Sequence, residues 1–445
     1  MIKNWKRIYY DRRDRYGVTY LTKKRAFRIF TKDETNPINT LIEKGLLEDL
    51  SQRKIFQPFS IRKFNKYHFS LLIQKKITPA IMPSEWSVLM HIDAARLILK
   101  TEEHLQDSGF TLDDVHLWNI LFDGPKPYLI DMGAINVTDT DLHWKNSSED
   151  RWAAYSSFKA AAINSIFLFA GNKHFYVRKM MQDYYAFSNL ETLLMLIRSP
   201  LILMIYIMNA VFVLGLKVLR FITFSKLCNK IYFKGEKWFL KTLASYVTKK
   251  ISLDDQSELN SDFKRAISSF LESSKRSSVV LHTNSLNLFN FVQSQTHSKL
   301  ALISNSENML DAVYLQKYTN TSVGLIDLRS PTPGTGPLNS WVLPALERIS
   351  GEIGIFQLDI NDLVYERCMT VNEVFFTVDK MFTSRAVFFF DHSSNNLRLQ
   401  ARDYGQFNNQ SVLDLLNEVF NNVTQVLALE YFSIYTVTKK EKNII

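Results

Sequence analysis

The chain has 445 residues, of which 46% are hydrophobic and 22% are charged, and it contains 14 glycines and 11 prolines. This length exceeds one typical core, which predicts two domains, and the composition excludes a disordered chain. The formal charge of +10 (54 Lys and Arg against 44 Asp and Glu) favours an anionic partner without identifying it.

Three other classes of protein are disfavoured by simple features of the sequence. The two cysteines, Cys228 and Cys368, are far apart, which excludes a disulfide framework and a cysteine-based zinc site. No signature of a nucleic-acid-binding module is present, so a nucleic-acid partner is not expected. The first residues, Met1-Ile-Lys-Asn-Trp-Lys, lack an apolar core, which predicts no secretory signal and a cytoplasmic location.

The first eighty residues are predicted to form a small sheet with one helix. Strands are expected at Val18–Thr22 and Ala26–Phe30, and again at Ile55–Phe64 and Tyr67–Ile77. Between these two pairs, apolar residues recur on one helical face from Pro37 to about Gln52. This order predicts a small lobe that ends near residue 80.

A long helix and a hairpin follow. The helix is predicted over Ser84–Asp107, with Ser84 as its cap, and it should end at Gly109. Further on, Ile120–Phe122 and Tyr128–Ile130 flank the sequence Asp-Gly-Pro-Lys-Pro, which predicts a β-hairpin with a tight turn.

Three polar residues should meet at the open end of this hairpin. Asn119 enters the first strand and Asp131 leaves the second, so the two should lie close together, while Asp114 lies on the loop just before. Two carboxylates and an amide are hard oxygen ligands, which suit Mg²⁺ and a phosphate.

The spacing of these residues resembles a known pattern. Asp114-x-His116-x-x-Asn119, with Asp131-Met-Gly133 after the hairpin, is similar to the catalytic and metal loops of protein-kinase-like folds, most of all those of aminoglycoside and small-molecule phosphotransferases. The resemblance implies ATP and Mg²⁺ as ligands, with Asn119 and Asp131 holding the metal. It also implies that Asp114 orients or deprotonates a hydroxyl of a small-molecule or glycan substrate.

The sequence departs from that pattern in three ways. Leu112 stands where a histidine usually anchors the loop, and no glycine-rich loop is found in the small lobe. The lysine that clamps the nucleotide is not assigned by the pattern. Lys24 and Lys32 are both near predicted strands, and Glu43 or Glu48 of the predicted helix would be its partner.

The stretch Ser199–Leu216 contains no formally charged residue and is followed at once by Lys217 and Arg220. Its length only just reaches what a membrane span needs. We expect a buried core helix, because a helix that is hydrophobic all round is typical of a core. Two alternatives stay open: a spanning helix, and a helix that rests on an anionic membrane with help from the basic residues of 199–230.

From Ser278 onward, strands and helices are predicted to alternate. The strands are expected at Val279–Leu281, Lys299–Ile303, Val323–Asp327, Ile353–Phe356 and Ala386–Phe390, the helices at Leu288–Gln293, Glu307–Gln316 and Val412–Phe420, with a last stretch at Thr424–Val437. Such alternation is typical of a parallel, doubly wound sheet. The order resembles the class I methyltransferase fold.

Two motifs extend the resemblance over most of the chain. They are Pro83-Ser-Glu-Trp86 with the Asp114 loop, and Asp327-Leu-Arg-Ser-Pro-Thr-Pro-Gly334, which looks like a motif placed after the fourth strand. Both resemble motifs of a bacterial group in which a kinase-like segment precedes a class I methyltransferase domain. Some members of this group are labelled nodulation-protein-related methyltransferases.

This resemblance implies a fold class and a domain organisation. An α+β protein-kinase-like domain would span residues 1–250, with a small lobe of about 1–80 and a large lobe of about 84–250. A linker at 251–277 would lead to an α/β, Rossmann-like class I methyltransferase-fold domain at 278–445, for which S-adenosylmethionine is the implied cofactor.

The site for that cofactor is eroded. It needs a glycine-rich turn after the first strand, because only glycine lets the backbone approach the ligand, and an acid at the end of the second strand for the ribose. The turn here, His282 to Leu288, has no glycine, and Ser304 stands in place of the acid. Asp327 could still touch the adenosine, and His282 and Asn284 could donate new hydrogen bonds.

Three functions therefore stay open. The favoured one is an ATP- and Mg²⁺-dependent phosphotransferase with a degenerate methyltransferase-like domain. The second is an S-adenosylmethionine-dependent methyltransferase with a kinase-like accessory domain. The third is a catalytically silent scaffold for an active homologue or for a second copy of the chain. The metal-binding triad separates the first from the third, and the missing glycines separate the first from the second.

Overall fold

The structure of the protein is a computed structural model. It describes residues 6–7, 17–31, 37–64, 69–137, 152, 154–182, 185–222, 226–252, 259–272, 277–334, 342–359, 370–391, 409–428 and 432–440. The chain divides into two compact units. The first unit comprises Met1–Ile77 and Met82–Lys250, and the second comprises Thr78–Ile81 and Ile251–Ile445.

An antiparallel sheet opens the first unit. Its strands are β1 (Lys6–Arg7), β2 (Val18–Leu21), β3 (Arg25–Thr31), β4 (Phe59–Phe64) and β5 (Phe69–Lys75). They are ordered β1-β2-β3-β5-β4, with every neighbouring pair antiparallel. The strands predicted in this region are confirmed in position, but β4 is shorter because Ile55 and Phe56 are buried in a turn before it begins.

The helix predicted between these strands is in fact two helices, α1 (Pro37–Glu43) and α2 (Leu46–Gln52). Gly45 lies between them with a φ of 66°, a left-handed conformation that glycine adopts readily. The prediction of one continuous helix is therefore wrong.

Helix α3 (Val88–Asp107) starts later than predicted. Pro83–Glu85 form a separate turn of 3₁₀ helix, and the N-cap of α3 is Ser87, whose hydroxyl accepts a hydrogen bond from the Met90 N–H at 3.4 Å. The assignment of Ser84 as the cap is wrong. Gly109 follows α3 with a φ of 77°, in agreement with its predicted role in ending the helix.

Two small antiparallel pairs hold the polar loop. The first pair is β6 (Phe110–Leu112) with β9 (Ile135–Val137), and the second is the hairpin of β7 (Ile120–Asp123) with β8 (Lys126–Leu129). The predicted hairpin is confirmed. Because β6 and β9 pair, the loop before the hairpin and the segment after it leave the same small sheet side by side.

The described residues of the first unit contain six further helices: α4 (Tyr155–Phe158), α5 (Asn164–Ala170), α6 (His174–Gln182), α7 (Asn189–Leu196), α8 (Pro200–Ile222) and α9 (Lys226–Lys250). A π-helical turn, Lys159–Ile163, joins α4 to α5. Phe158, Phe167 and Phe169 are fully buried in this helical core.

The uncharged stretch Ser199–Leu216 lies almost entirely in α8. Ile202, Tyr206 and Val213 are buried on one side of the helix, whereas Met204 and Val211 on the other side are more than half exposed. The expectation of a buried core helix is therefore wrong for the outward side. Within the described part of the chain, no helix combines the length and the apolarity that crossing a bilayer requires.

A buried carboxyl group links α8 to α9. Glu236 of α9 accepts hydrogen bonds from the Asn209 side-chain amide at 3.2 Å and from the Tyr155 hydroxyl at 3.3 Å. Burial raises the pKa of Glu236 to about 7, although these hydrogen bonds and the charge of Lys159 oppose the rise.

This raised pKa predicts a pH-dependent contribution to stability. Between about pH 4.5 and 7 the native state keeps the proton of Glu236 while the unfolded state loses it, so the free energy of unfolding should fall by about 3 kcal/mol over that interval. Glu236→Gln lacks this group, so it should match the wild type near pH 5 and exceed it by about 1–3 kcal/mol at pH 8.

Urea unfolding at the two pH values measures this difference. Exposed Glu48 of α2 provides the matched control. Glu48→Gln should change the free energy of unfolding by the same amount at both pH values. The same pH dependence in Glu236→Gln and in the wild type would contradict the assignment.

The second unit is built on a seven-stranded sheet. Its strands are β10 (Val279–His282), β11 (Leu300–Ser304), β12 (Thr321–Leu325), β13 (Gly351–Asp359), β14 (Phe382–Asp391), β15 (Asn421–Ala428) and β16 (Phe432–Thr438). Its helices are α10 (Ser261–Glu272), α11 (Leu286–Gln295), α12 (Glu307–Leu315), α13 (Ala345–Arg348), α14 (Val371–Asp379) and α15 (Asn409–Val419). Helix α10 falls within the predicted linker 251–277.

The strand order is β12-β11-β10-β13-β14-β16-β15, which is 3-2-1-4-5-7-6 in order along the chain. The first five strands are parallel, as the alternation predicted, while β16 is antiparallel to both of its neighbours. The predicted last stretch, Thr424–Val437, is two strands. Buried valine, leucine, isoleucine and phenylalanine fill β10 to β14, as expected for a sheet covered on both faces.

Candidate functional sites

The structure brings the three predicted residues of the first unit together. Asn119 ends a 3₁₀ turn, Leu117–Asn119, and its side-chain amide donates a hydrogen bond to the Asp114 carbonyl oxygen at 3.2 Å. The carbonyl oxygen of Asn119 accepts from the N–H of Ile130, the residue before Asp131, at 2.9 Å. Asp114, Asn119 and Asp131 therefore share the open end of the hairpin.

Asp131 is fixed by two hydrogen bonds to one oxygen. Its Oδ1 accepts from the Gly133 N–H at 2.9 Å, which caps the 3₁₀ turn Met132–Ala134, and from Arg28 Nη1 at 2.8 Å. The Arg28 side chain is 8% exposed and that of Asp131 is 34% exposed. An ion pair this sheltered joins the middle of β3 to the end of the hairpin.

Arg28 was missed by the sequence analysis. The available signal was a basic residue between Phe27 and Ile29 in a predicted strand, whereas the predicted candidates were lysines near strands. Lys24 lies in the exposed turn before β3, and Lys32 lies outside the described residues. Glu43 and Glu48 are both exposed on their helices.

The loop that carries Asp114 is anchored from α3. Glu102 accepts hydrogen bonds from the Leu112 N–H at 2.7 Å, from the Thr111 hydroxyl at 2.8 Å and from the Gln106 amide at 2.8 Å. Trp152 Nε1 donates to the Leu112 carbonyl at 3.0 Å. A carboxylate and an indole thus hold the position at which the expected histidine is replaced by leucine.

The Glu102 carboxyl is buried, and this burial raises its pKa to about 7 even though the hydrogen bonds from Leu112, Gln106 and Thr111 favour the charged form. Neither Glu102 nor Trp152 could be found from the spacing of the loop, because both act from outside it.

Asp114 itself is exposed and stands beside an imidazole. The Nε2 atom of His116 lies 3.4 Å from Asp114 Oδ2. This proximity allows the imidazole to restrict the orientation of the Asp114 carboxylate.

Oxygen ligands for a metal are present, but they are few. Asp131 and Asn119 supply a carboxylate and an amide, and the described residues contain no group of three or more His, Cys, Asp or Glu side chains arranged to hold a metal ion. Mg²⁺ is commonly held by one or two protein oxygens together with phosphate oxygens and water. The donor set therefore fits Mg²⁺ bound together with a phosphorylated ligand.

The second unit has its candidate site at the carboxyl edge of the sheet. Ligands of doubly wound sheets bind where the strand order reverses, which here is between β10 and β13. His282 ends β10 and Ser304 ends β11, while Asn284 follows β10 and Asp327 follows β12. The predicted cofactor residues are thus all at this edge.

These polar groups satisfy one another. The Ser304 hydroxyl donates to the Asn284 side-chain oxygen at 2.5 Å and accepts from the Ser306 N–H at 3.0 Å. His282 Nδ1 lies 2.9 Å from the Gln357 carbonyl oxygen, and the Thr283 hydroxyl bonds to the Gln357 side chain. The edge is therefore closed by contacts within the chain.

The His282 imidazole is neutral at physiological pH. Burial lowers its pKa to about 4, and the hydrogen bond to Gln357 and the charge of Asp327 only partly offset that effect. Gln357 of β13 was missed by the sequence analysis, because local patterns do not reveal which strand lies next to β10.

Asp327 is held by its own loop. Its carboxylate accepts a hydrogen bond from Arg329 Nε at 2.7 Å, and Arg329 Nη2 contacts the other oxygen. The motif Asp327 to Gly334 follows the third strand of the sheet, β12, so the comparison with a motif placed after a fourth strand is wrong.

The residues at this edge do not fit S-adenosylmethionine. Every position from His282 to Leu288 carries a side chain, so Cβ atoms stand where the backbone would have to approach the ligand. Ser304 replaces the acid for the ribose and is already bonded to Asn284, while Asp327 is engaged by Arg329.

Comparison with known proteins gives structural neighbours only. No protein-family model matches the chain, and no curated protein sequence matches it significantly. Among solved structures, the N-methyltransferase NodS from Bradyrhizobium japonicum WM9 has a TM-score of 0.28 at 12% identity, covering 41% of this chain and 99% of its own. A DhpI–SAM–HEP complex has a TM-score of 0.30 at 12% identity, covering 45% and 97%.

A third neighbour is phosphoethanolamine N-methyltransferase 1 of Haemonchus contortus, solved with phosphoethanolamine and S-adenosylhomocysteine. Its TM-score is 0.29 at 13% identity, and the match covers 45% of this chain and 46% of that one. Two of these three neighbours are named as N-methyltransferases, and the other was solved as a complex with SAM. Because these TM-scores are below 0.5, they carry no argument about activity.

Proposed function

We propose that the protein is a transferase whose first unit is a protein-kinase-like domain that binds ATP with Mg²⁺. It transfers a phosphoryl group to a hydroxyl of a small-molecule or glycan substrate. The order of elements supports this proposal: an antiparallel sheet with helices between its third and fourth strands, then a long helix, then two small pairs of strands around a polar loop.

The observation that carries the proposal is the contact of Arg28 Nη1 with Asp131 Oδ1 at 2.8 Å. In protein-kinase-like folds, the third strand provides the cation for the phosphates, and a carboxylate after the hairpin provides the ligand for the metal. Arg28 and Asp131 occupy those two places. An arginine can provide this cation, because its guanidinium group donates two parallel hydrogen bonds to the oxygens of a phosphate.

Each residue then has a defined role. Asn119 and Asp131 would hold the metal ion, which would neutralise charge on the phosphates. The acceptor oxygen attacks the γ-phosphorus, the bond from that phosphorus to the bridging oxygen of ADP breaks, and the hydroxyl proton passes to the Asp114 carboxylate. His116 orients Asp114, and Glu102 keeps the loop in position.

The test is calorimetric titration of the full chain with ATP, in the presence and in the absence of Mg²⁺. We expect saturable binding that is tighter with Mg²⁺, because Asp131 and Asn119 would hold the metal ion and the ion would neutralise charge on the phosphates. A chain that binds ATP under neither condition would contradict the proposal.

A second candidate is S-adenosylmethionine-dependent methyl transfer by the second unit, with the first unit as an accessory. The strand order supports it, since an antiparallel seventh strand inserted between the fifth and sixth is typical of class I methyltransferases. The carboxyl edge closed by its own side chains opposes it. A scaffold without catalysis is the function left if neither ligand binds.

A further inference from the structure

The outward side of α7 and α8 is an apolar surface, which we call the apolar face. Its members are Leu190, Leu194, Ile197, Leu201, Met204, Ile207, Met208, Val211, Leu214 and Val218, each between 45% and 65% exposed. Their spacing of three or four residues places them along one side of the helices. Monomeric soluble proteins rarely expose an apolar surface this continuous.

The residues of the apolar face do not belong to the core of the first unit. The inward side of α8 is already packed: Ile202 and Tyr206 are buried, and Asn209 reaches Glu236 of α9. The polar residues Tyr206 and Asn209 of this helix are buried, whereas its described outward residues are apolar. Such a helix requires a partner outside the unit to cover its outward side.

A row of exposed lysines lies on α9, the helix that packs against α8. Helices α8 and α9 pack together through Phe212 and Phe239, whose ring centroids are 5.9 Å apart. On the exposed side of α9, Lys230, Lys234 and Lys241 lie at helical spacing with Trp238 between them.

The segment 201–250 carries a large excess of positive charge. Residues 201–250 contain nine Lys and Arg but a single acid, Glu236, which is buried. An apolar helix side flanked by lysines and a tryptophan is typical of a helix that lies in the interface of an anionic membrane.

We propose that the apolar face, together with Lys230, Lys234 and Lys241, docks the protein onto an anionic membrane surface. Helix α8 then lies parallel to the membrane with its outward residues among the acyl chains, and the lysines contact anionic headgroups. Spanning is disfavoured because Asn209 and its buried partner Glu236 belong to the core of the unit. A second copy of the chain would cover the apolar residues but would repel the lysines.

Sedimentation of the full chain with vesicles tests the proposal. We expect binding to phosphatidylserine-rich vesicles, little binding to phosphatidylcholine alone, and release at about 1 M salt, where the Debye length is about 3 Å. Val211→Glu with Leu214→Glu should weaken binding by at least about tenfold, because two charges would enter the acyl region. Replacing the three lysines by glutamine should weaken it by about a hundredfold, or about fivefold for each charge.

Matched controls separate docking from misfolding. All the substituted side chains are exposed, so circular dichroism should be unchanged, and Phe376→Glu, an equally exposed apolar position on α14, should bind like the wild type. A wild-type chain that stays in the supernatant with anionic vesicles would overturn the proposal. So would binding that ignores salt and lipid charge, or self-association that the Val211→Glu and Leu214→Glu changes abolish without any vesicle binding.

Discussion

Asp131→Asn is expected to lose most of the Mg²⁺-dependent affinity for ATP while keeping the fold. The amide oxygen of asparagine can still accept hydrogen bonds from Gly133 and Arg28, so the turn after the hairpin should persist. The metal, however, loses a charged ligand. We expect the dissociation constant measured with Mg²⁺ to rise about ten- to a hundredfold, and the one measured without Mg²⁺ to change little.

The hairpin offers a matched control for this substitution. Asp123 lies at the opposite end of the hairpin from Asp131 and forms an ion pair with Lys75 at 3.1 Å. Asp123→Asn removes the same charge from the same hairpin and should leave ATP binding unchanged. Equal Mg²⁺-dependent affinity in the wild type and in Asp131→Asn would show that this carboxylate is not a metal ligand.

The second large effect concerns S-adenosylmethionine, which we expect the full chain to bind roughly two orders of magnitude more weakly than an ordinary methyltransferase does. The side chains of the turn after β10 oppose the approach of the methionine part. The loss of the ribose-binding acid at Ser304 leaves two hydroxyls unmatched, at a cost of about 1–3 kcal/mol.

Direct titration with S-adenosylmethionine and with its demethylated product measures this deficit. The two ligands share the adenosine and differ in the charge on sulfur, so equal weakness of both would point to the turn and the ribose position. Low-micromolar binding of either would show that His282, Asn284 and Ser304 form a rebuilt site, and methyl transfer would become the leading function.

Much of the order of helices and strands could be predicted because it depends on local sequence patterns. Short apolar runs indicated the strands of both units, and the Asp-Gly-Pro-Lys-Pro turn indicated the hairpin that brings Asn119 near Asp131. Gly45 carried a usable signal for the break between α1 and α2, which the apolar spacing outweighed.

The contacts that shape the sites could not be predicted in this way. Arg28 and Asp131 are 103 positions apart, and no local pattern specifies that β3 faces the hairpin. The insertion of β16 between β14 and β15 depends on strand pairing rather than on periodicity. The uncharged composition of α8 predicted a buried core helix. Hydrophobicity alone does not show which side of the helix is buried, so it could not reveal that Tyr206 and Asn209 lie on the buried side.

The long separation of Arg28 and Asp131 has a consequence for how the first unit folds. Closing a loop of that length lowers the entropy of the chain before the ion pair can form and offset this cost. The hairpin and the strands around it, by contrast, form from residues that are close in sequence. The pair should therefore form late in folding, after the sheet and the hairpin exist. A probe placed at this ion pair would report the completion of the unit rather than its nucleation.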